Sequence, residues 1–378
     1  MKLPLNIRLE ARGERSRVMV WLSPAIAGLA TLVCGSLLFA ALGKDPLQTL
    51  YTFFVLPLSD LHGWSELAVK CTPILLCAVG LAICFRAKVW NIGAEGQLLL
   101  GALVGSWLAL SLQESDQWWN LPLVLLAGAG AGAAWAAIPA LLKTRCNTNE
   151  ILTTIMLNYI GLNLLQYAVH GPLKDPAGFN FPESALFNDG LLLPVLAEGT
   201  RLHLGAVFAL LAVVATWVLL TRTFVGFQIR VLGEDVRSAH FAGFRAAKLV
   251  WLVLLLCGAL AGLAGVVEVT GPIGQLVPQV SPGYGYAAII VAFLGRLHPL
   301  GILFASLLMG LLYLGGEMVQ IELGLPLAIT GLFQGMLLFF LLASDVLISH
   351  RLRIVRAAPG ATTATVVSRT ENLPIGVP

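Results

Sequence analysis

Long apolar runs alternate along this chain with short polar segments. Nine runs are long enough to cross about 30 Å of hydrocarbon: 18–42, 65–84, 93–112, 121–142, 150–169, 203–221, 248–270, 299–315 and 325–348. A tenth run, 285–296, is shorter and fits either a tilted crossing or a re-entrant half-helix. The pattern predicts an all-α polytopic membrane protein with about ten transmembrane helices.

The basic residues indicate how these helices are oriented. With the N-terminus inside, 19 of the 23 Lys and Arg residues fall on the cytoplasmic side, as the positive-inside rule requires. The outer segments keep only Lys44, Lys70, Lys174 and Arg201. Loops rich in basic residues alternate with loops that have few of them at every crossing only when the run 285–296 spans the membrane. We therefore expect ten crossings and two cytoplasmic termini.

Composition supports this class and excludes others. Hydrophobic residues make up 58% of the chain and charged residues 11%, which rules out a water-soluble domain of 378 residues. The net charge of +3 is small, and the distribution of the basic residues reflects the orientation of the helices in the membrane. We therefore expect no nucleic-acid partner. The six cysteines show neither metal spacing nor a disulfide framework. We expect no catalytic residues and no metal or cofactor site.

The organisation of the chain follows from its loops. Residues 1–17 form a basic cytoplasmic N-terminus, 18–348 the transmembrane domain, and 349–378 a polar tail that we expect to be disordered. A Pro- and Gly-rich external loop, 170–202, separates helices two to five from helices seven to ten. The two blocks begin in opposite senses, which predicts an inverted repeat. Small-residue pairs at 101/105, 128/132, 258/262 and 331/335 favour close helix packing.

Two polar constellations stand at membrane level. In the stretch 85–102, Asn91, Glu95 and Gln97 lie near the start of a helix. Glu95 is either a helix-end carboxylate paired with Arg86 or Lys88, or a group that faces a cavity or pathway.

In the stretch 143–160, Asn149 is a predicted N-cap for a helix that opens at Glu150. Glu150, Thr154 and Asn158 then follow at spacings of four, which places them on one face. Lipid would penalise such a stripe, so it must face protein or water. Interhelical hydrogen bonding and the lining of a translocation pathway both satisfy this requirement.

The longest cytoplasmic loop, residues 222–247, is here named the coupling segment. It mixes basic and aromatic residues over a length that suits docking of a soluble partner, although a solvated connector would look similar. Within DVRSAHFAG we expect a short amphipathic helix with Ala239, Phe241 and Ala242 partly exposed, and Gly233 as a turn. The residues expected to couple to the partner are Arg230, Gly233, Glu234, Asp235, Arg237, His240, Phe241 and Gly243.

No nucleotide-binding fingerprint occurs in the chain. Lys70 lies four residues after Glu66 and is expected to snorkel outward or to pair with it. A chain of buried acids, expected of a proton-coupled carrier, is missing apart from Glu268, which stands near a Gly/Pro-rich outer loop. Any energy source must then come from outside the chain.

The stretches FRAKVWNIGAEGQLLLGA and NTNEILTTIMLNYI resemble the permease subunits of bacterial nucleoside-type ABC importers, within the branched-chain amino acid and ribose-type permease group. GEDVRSAHFAGF resembles the cytoplasmic coupling loop of that group, although Glu234-Asp235 stands where many relatives have Asn-Pro. The similarity covers about residues 65–348.

The resemblance implies a function and a set of partners. The chain would be an inner-membrane permease for a nucleoside or purine-like solute, working with a second, non-identical permease, a cytoplasmic ABC ATPase that uses ATP, and an external solute-binding protein. The pathway residues implied or predicted are Asn91, Glu95, Gln97, Glu150, Thr154, Asn158 and Glu268. A monosaccharide ABC permease is the alternative within the class, and an ATPase-independent secondary carrier is the alternative outside it.

Overall fold

The computed structural model describes residues 5–11, 17–115, 117–326 and 328–356. This part of the chain forms thirteen α-helices and two short strands. The helices are α1 Arg17–Ala41, α2 Pro46–Phe54, α3 Leu61–Arg86, α4 Ala94–Ser111, α5 Asn120–Cys146, α6 Glu150–His170, α7 Gly205–Arg222, α8 Phe224–Glu234, α9 Val236–Phe241, α10 Ala246–Glu268, α11 Tyr284–Leu294, α12 Pro299–Leu323 and α13 Ala328–Ser349. The strands are β1 Leu5–Ala11 and β2 His350–Arg356.

The predicted all-α membrane fold is confirmed, and each of the ten apolar runs falls on a helix. Among the described residues, seven helices are both long and apolar enough to cross a membrane: Leu22–Ala41, α3, α4, α5, α7, Ala246–Ile273 and α12. Helices α6 and α13, with 21 and 22 residues, have the length to span, since each residue adds about 1.5 Å. The inverted repeat and the cytoplasmic termini stay predictions.

Helix α11 accounts for the short apolar run. Its 11 residues extend about 16 Å, roughly half of the hydrocarbon thickness. Before it, α10 continues into a π-helical turn, Val269–Ile273, and a non-helical segment with positive φ angles at Gly274 and Gly283. Helix α11 by itself is therefore shorter than a membrane crossing, and the crossing by 285–296 stays a prediction.

Glycines determine how closely α4, α5 and α10 approach one another. A Cβ on Gly101 would lie 2.2 Å from the carbonyl oxygen of Gly262, and one on Gly132 would lie 2.2 Å from that of Gly258. Gly128 is equally close to α10, because a Cβ on Gly262 would lie 2.3 Å from its oxygen. The predicted close packing is confirmed for these pairs. Around the 331/335 pair of α13, no described atom lies within 4 Å of such a Cβ.

The external loop between α6 and α7 is fastened to the segment that follows α10. Ser184 donates its backbone N–H to Leu276, and Leu193 donates to Thr270, at 2.9 and 2.8 Å. The Ser184 hydroxyl in turn accepts from the Leu276 N–H at 2.9 Å. These bonds hold the Gly- and Pro-rich segment in a defined conformation at the outer ends of the helices.

By contact density the chain divides into two compact units, residues 31–338 and a smaller one formed by 1–30 and 339–378. In the smaller unit β1 pairs antiparallel with β2, from Leu5 opposite Arg356 to Ala11 opposite His350. Within the tail that the sequence predicts to be disordered, residues 350–356 form β2, where Leu352 and Ile354 alternate with Arg351 and Arg353. Residues 357–378 lie outside the described part of the chain.

Candidate functional site

The stretch between α3 and α4 is irregular backbone in which buried residues alternate with more exposed ones. Residues 87–93, here named the entry segment, are non-helical, and Ala87, Val89, Asn91 and Gly93 are buried. Unpaired peptide groups are costly at membrane depth, so such a segment needs polar side chains from neighbouring helices.

The polar stripe of α6 supplies these side chains. The Trp90 and Ile92 N–H groups donate to the Glu150 carboxylate and the Thr154 hydroxyl, at 3.4 and 3.2 Å. The Asn158 amide donates to the Ile92 carbonyl and accepts from the Gly96 N–H, both at 2.8 Å. The stripe therefore faces protein, and interhelical hydrogen bonding accounts for its three residues.

The start of α6 follows the sequence prediction. Asn149 has an extended backbone and its side chain accepts from the Ile151 N–H at 2.9 Å, which confirms the N-cap. Glu150 also forms an ion pair with Lys143, the basic residue in the last turn of α5. This pair balances a carboxylate that would otherwise be isolated beside the entry segment.

Asn91 and Gln97 form a second cluster on the opposite side of the entry segment. The Asn91 amide donates to the Gln97 side-chain oxygen at 3.1 Å and to the Cys257 sulfur at 3.2 Å. Its own oxygen accepts from the Gly93 N–H at 2.9 Å. Both side chains are fully buried, so they link α4 to α10 and do not reach a surface.

The Glu95 side chain accepts a hydrogen bond from the first turn of the half-helix α11. Its carboxylate accepts from the Gly285 N–H at 2.7 Å, and the Ser281 hydroxyl accepts from the Tyr284 N–H at 2.9 Å. A Cβ on Gly285 would lie only 2.3 Å from the Glu95 nitrogen, so only glycine allows this approach.

The expected pairing of Glu95 with a basic residue is wrong. Arg86 donates instead to the Leu297 carbonyl at 3.0 Å, and Lys88 donates to the Glu234 carbonyl at 3.2 Å. Negative charge at a helix N-terminus is favourable. Glu95 lies in the first turn of α4, and its carboxylate also accepts from the first turn of α11.

A different face of α6 is exposed, and sequence reasoning missed it. Its members repeat at spacings of three and four and are exposed in the described structure: Leu152, Met156, Tyr159, Asn163 and Tyr167. We name these five residues the α6 outer face. The helical spacing of these five residues is present in the sequence, but spacing alone does not say which face of a membrane helix is left uncovered.

Tyr286 lies next to this face. Its hydroxyl accepts from the Asn158 amide at 3.2 Å, and 43% of the residue is exposed. Asn158 therefore touches the entry segment, α4 and α11 at once, and it also fixes an aromatic ring that is open to the outside of the subunit.

The outer ends of the helices carry a charged cluster. Arg201 from the external loop forms a two-pronged ion pair with Glu66, and Lys70 donates to Glu317 of α12 at 2.7 Å. The expected pair between Glu66 and Lys70 is wrong, because each residue reaches a partner on another element. Glu268 is 7% exposed beside these two pairs. All five residues lie on the side that the positive-inside rule placed outside.

The coupling segment folds into α8 and α9. The Asp235 carboxylate caps α9 by accepting from the Arg237 and Ser238 N–H groups at 3.2 and 3.0 Å. The hydrogen bond from the Ser238 hydroxyl, together with these two backbone bonds, lowers the pKa of Asp235 below its ordinary value. An acid at this position is therefore a good helix start in place of Asn-Pro.

The surface of α9 matches the amphipathic prediction in part. Phe241 is 91% exposed, whereas Ala239, expected at the surface, is fully buried. The remaining charged positions, Arg230, Glu234, Arg237 and His240, are exposed.

Gly233 is not a turn. It lies within α8, where a Cβ would stand 1.9 Å from the Arg86 carbonyl oxygen. The turn glycine is Gly243, with φ of 80°. Contact between α8 and the end of α3 thus depends on Gly233.

Among the described residues, no group of three or more His, Cys, Asp or Glu side chains has the arrangement of a metal site.

The comparisons with known proteins agree with this architecture. Residues 63–342 match the family model "Branched-chain amino acid transport system / permease component". The glucose ABC transporter permease protein TsgB13 of Haloferax volcanii is 36% identical, over 93% of this chain and 95% of its own. The guanosine ABC transporter permease protein NupP of Bacillus subtilis is 31% identical, over 85% and 93% of the two chains.

A third relative, the nucleoside ABC transporter permease protein NupB of Lactococcus lactis subsp. cremoris, is 30% identical over 85% of this chain and 90% of its own. The family match covers well over half of the chain and includes α3 to α12. The chain therefore belongs to the branched-chain amino acid transport system / permease component family, as a multi-pass, inner-membrane permease component of an ABC importer.

Proposed function

We propose that this permease moves a nucleoside across the membrane along the α6 outer face, which a second, homologous permease subunit covers. The observation that carries the proposal is the exposure of Tyr159, Asn163 and Tyr167 on a helix of the membrane bundle. Tyr159 and Asn163 lie near the middle of α6, where polar side chains facing lipid are unfavourable, so we expect protein or water to cover this face.

The chemistry of the face suits a nucleoside. Tyrosine rings stack on a purine or pyrimidine base, and their hydroxyls, like the Asn163 amide, offer hydrogen bonds to polar ring atoms. Tyr286, held by Asn158, adds a fourth polar group beside the face. Two of the relatives reported above are named as guanosine and nucleoside permeases, which supports this choice.

Glucose is the second candidate solute. The TsgB13 relative is named as a glucose permease and is 36% identical to this chain. Aromatic rings also stack on the apolar faces of sugars, so the α6 outer face alone does not separate the two.

Energy would reach the pathway through the coupling segment. Phe241 and Val236 present apolar surface on the cytoplasmic side, where a soluble ATPase would bury them. The short helix α9 transmits the ATPase cycle only if it binds the two nucleotide states unequally. An external solute-binding protein would deliver the nucleoside at the opposite side, where the loop between α6 and α7 is ordered.

ATP-driven uptake tests the proposal. The complete importer, reconstituted in vesicles with its ATPase and binding protein, should accumulate radiolabelled guanosine, and excess unlabelled glucose should not compete. If the vesicles accumulate glucose and not guanosine, the imported solute is a sugar and not a nucleoside. Transport by the permease without an ATPase would refute the importer mechanism.

A matched pair of variants tests the docking step. Phe241→Asp should stop the ATPase from co-purifying and abolish uptake, while the protein still inserts. Phe179→Asp, at a residue that is 94% exposed in the external loop, should leave ATPase co-purification unchanged. Normal uptake by an inserted Phe241→Asp protein would count against docking on α9.

A further inference from the structure

The charged cluster at the outer ends of the helices borders a cavity to which the α6 outer face contributes no residue. Its volume is about 320 Å³, within the range of roughly 300–1,000 Å³ typical of small-molecule sites. The lining comes mostly from the segment 272–284, which follows α10 and includes the first residue of α11. The rest comes from α3, the external loop, the end of α10 and α12, and α6 contributes no residue. We name this cavity the external pocket.

Some polar groups of the pocket have a hydrogen-bond or ion-pair partner within the protein, and others do not. Lys70 and Arg201 line it while paired with Glu317 and Glu66, respectively. Glu268 also lines it, is more than nine-tenths buried, and accepts no hydrogen bond from any described residue. A buried carboxylate without donors is unfavourable. It is the one acidic group of the pocket that still requires hydrogen-bond donors.

The remaining groups define what a ligand must offer. Gln279 lines the pocket with an exposed amide that has no partner in the described structure. Lys70 and Arg201 carry spare N–H donors beyond their ion pairs. A ligand that fits must therefore donate to Glu268 and accept from the amide and the cations within a few ångströms.

A sugar ring meets both requirements. Two neighbouring hydroxyls donate to the two oxygens of one carboxylate, as in other charge-assisted bidentate contacts, and the same hydroxyls and the ring oxygen accept. A small metal ion could bind the Glu268 carboxylate, but it could not accept hydrogen bonds from the amide and the cationic side chains. The mixture of two carboxylates, one of them already paired with Lys70, one amide and two cations thus favours a neutral polyhydroxylated group.

We propose that the external pocket binds the vicinal-diol face of a sugar ring, held by the Glu268 carboxylate and the Gln279 amide. The ring would be either the ribose of a nucleoside or a free hexose, and this inference rests on the proposed import of such a solute. The pocket would receive the solute at the outer surface, before the α6 outer face is reached.

Binding to the purified, full-length permease tests the pocket. Guanosine, 2′,3′-dideoxyguanosine and glucose are titrated calorimetrically against wild type, Glu268→Gln and Glu322→Gln. Glu322 is an exposed acid near the outer end of α12 that does not line the pocket, so it controls for loss of charge. Gln keeps the size of Glu268, and equal unfolding midpoints verify that the fold is retained.

We expect wild type to bind guanosine, Glu268→Gln to weaken that binding roughly tenfold or more, and Glu322→Gln to have no effect. The dideoxy analogue should bind weakly to wild type and lose nothing further in Glu268→Gln. If the same pattern appears for glucose and not for guanosine, the ring is a hexose.

Equal affinity of wild type for guanosine and its dideoxy analogue, with unchanged glucose binding in Glu268→Gln, would overturn the proposal. So would sodium binding that depends on Glu268 without any diol dependence. ATP-driven uptake separates the two ideas: guanosine uptake with no effect of Glu268→Gln refutes the pocket alone, whereas no uptake of either solute refutes the proposed function.

Discussion

The Asn158 side chain offers the sharpest test of the polar network around the entry segment. Asn158→Leu removes a side chain that accepts from the Gly96 N–H and donates to the Ile92 carbonyl and to Tyr286. Leu has the same branching and the same number of side-chain heavy atoms as Asn, so the substitution leaves no cavity. Its methyl groups are larger than the amide oxygen and nitrogen, so crowding against Gly96 adds to the loss of hydrogen bonds.

The magnitude follows from the groups left behind. Two backbone groups, one N–H and one carbonyl, lose their partner in a site where Asn158 itself is 2% exposed. Each buried, unsatisfied group costs about 1–3 kcal/mol, so we expect destabilisation of about 2–6 kcal/mol. Tyr286 lies partly exposed and can bond to water, so it adds little.

Steric trapping or unfolding in mixed detergents measures the free energy of unfolding. Asn163→Leu is the matched control, because that amide is exposed and bonds only within its own helix, to the Tyr159 carbonyl at 2.7 Å. Asn158→Asp should be intermediate, since it keeps the acceptor for Gly96. If Asn158→Leu unfolds within about 1 kcal/mol of wild type, the network does not stabilise the entry segment.

Other variants follow from the same contacts. Gly101→Ala should lower the free energy of unfolding by about 1–3 kcal/mol, because the added Cβ would meet a carbonyl oxygen of α10. Gly331→Ala is the control, because the space around Gly331 is open; in the same assay it should be neutral or slightly stabilising. Lys70→Glu should lower the midpoint of thermal unfolding, because the ion pair of Lys70 with Glu317 joins α3 to α12. The double variant Lys70→Glu with Glu317→Lys should restore the midpoint, and no restoration would contradict the pairing. The lowered pKa of Asp235 means that its cap on α9 is fully present above the ordinary Asp value and is lost as the pH falls through the lowered value. Hydrogen exchange of α9 should therefore rise in that acidic range in wild type and not in Asp235→Asn.

Hydrophobic periodicity was sufficient to place the membrane helices, because lipid imposes a simple length and polarity rule on each of them. It also located the N-cap at Asn149 and the buried direction of the Glu150 stripe. It missed α2, although Asp45 followed by Pro46 is a helix-start signal that the structure confirms, with Asp45 capping the Leu47 N–H at 2.9 Å.

Partners across the bundle were beyond the reach of sequence spacing. Lys70 and Glu66 stand four residues apart, yet each bonds to a residue more than 100 positions away. Likewise, Glu95 lies in the first turn of its own helix, as the sequence indicated, but its contact with the start of α11 is 190 positions away. Local rules identify which groups need partners, and the tertiary packing decides which partners they find.

The position of the pathway on the α6 outer face is the central claim, and cysteine accessibility tests it most directly. Each residue from 152 to 167 is replaced by cysteine in a background without the six native cysteines, and the assembled importer is labelled with a membrane-impermeant thiol reagent. The account predicts labelling at positions 159, 163 and 167 that guanosine slows, and none at the buried positions 154 and 158. Labelling at 154 and 158 with protection of 159 and 163 would contradict it and return the pathway to the buried stripe.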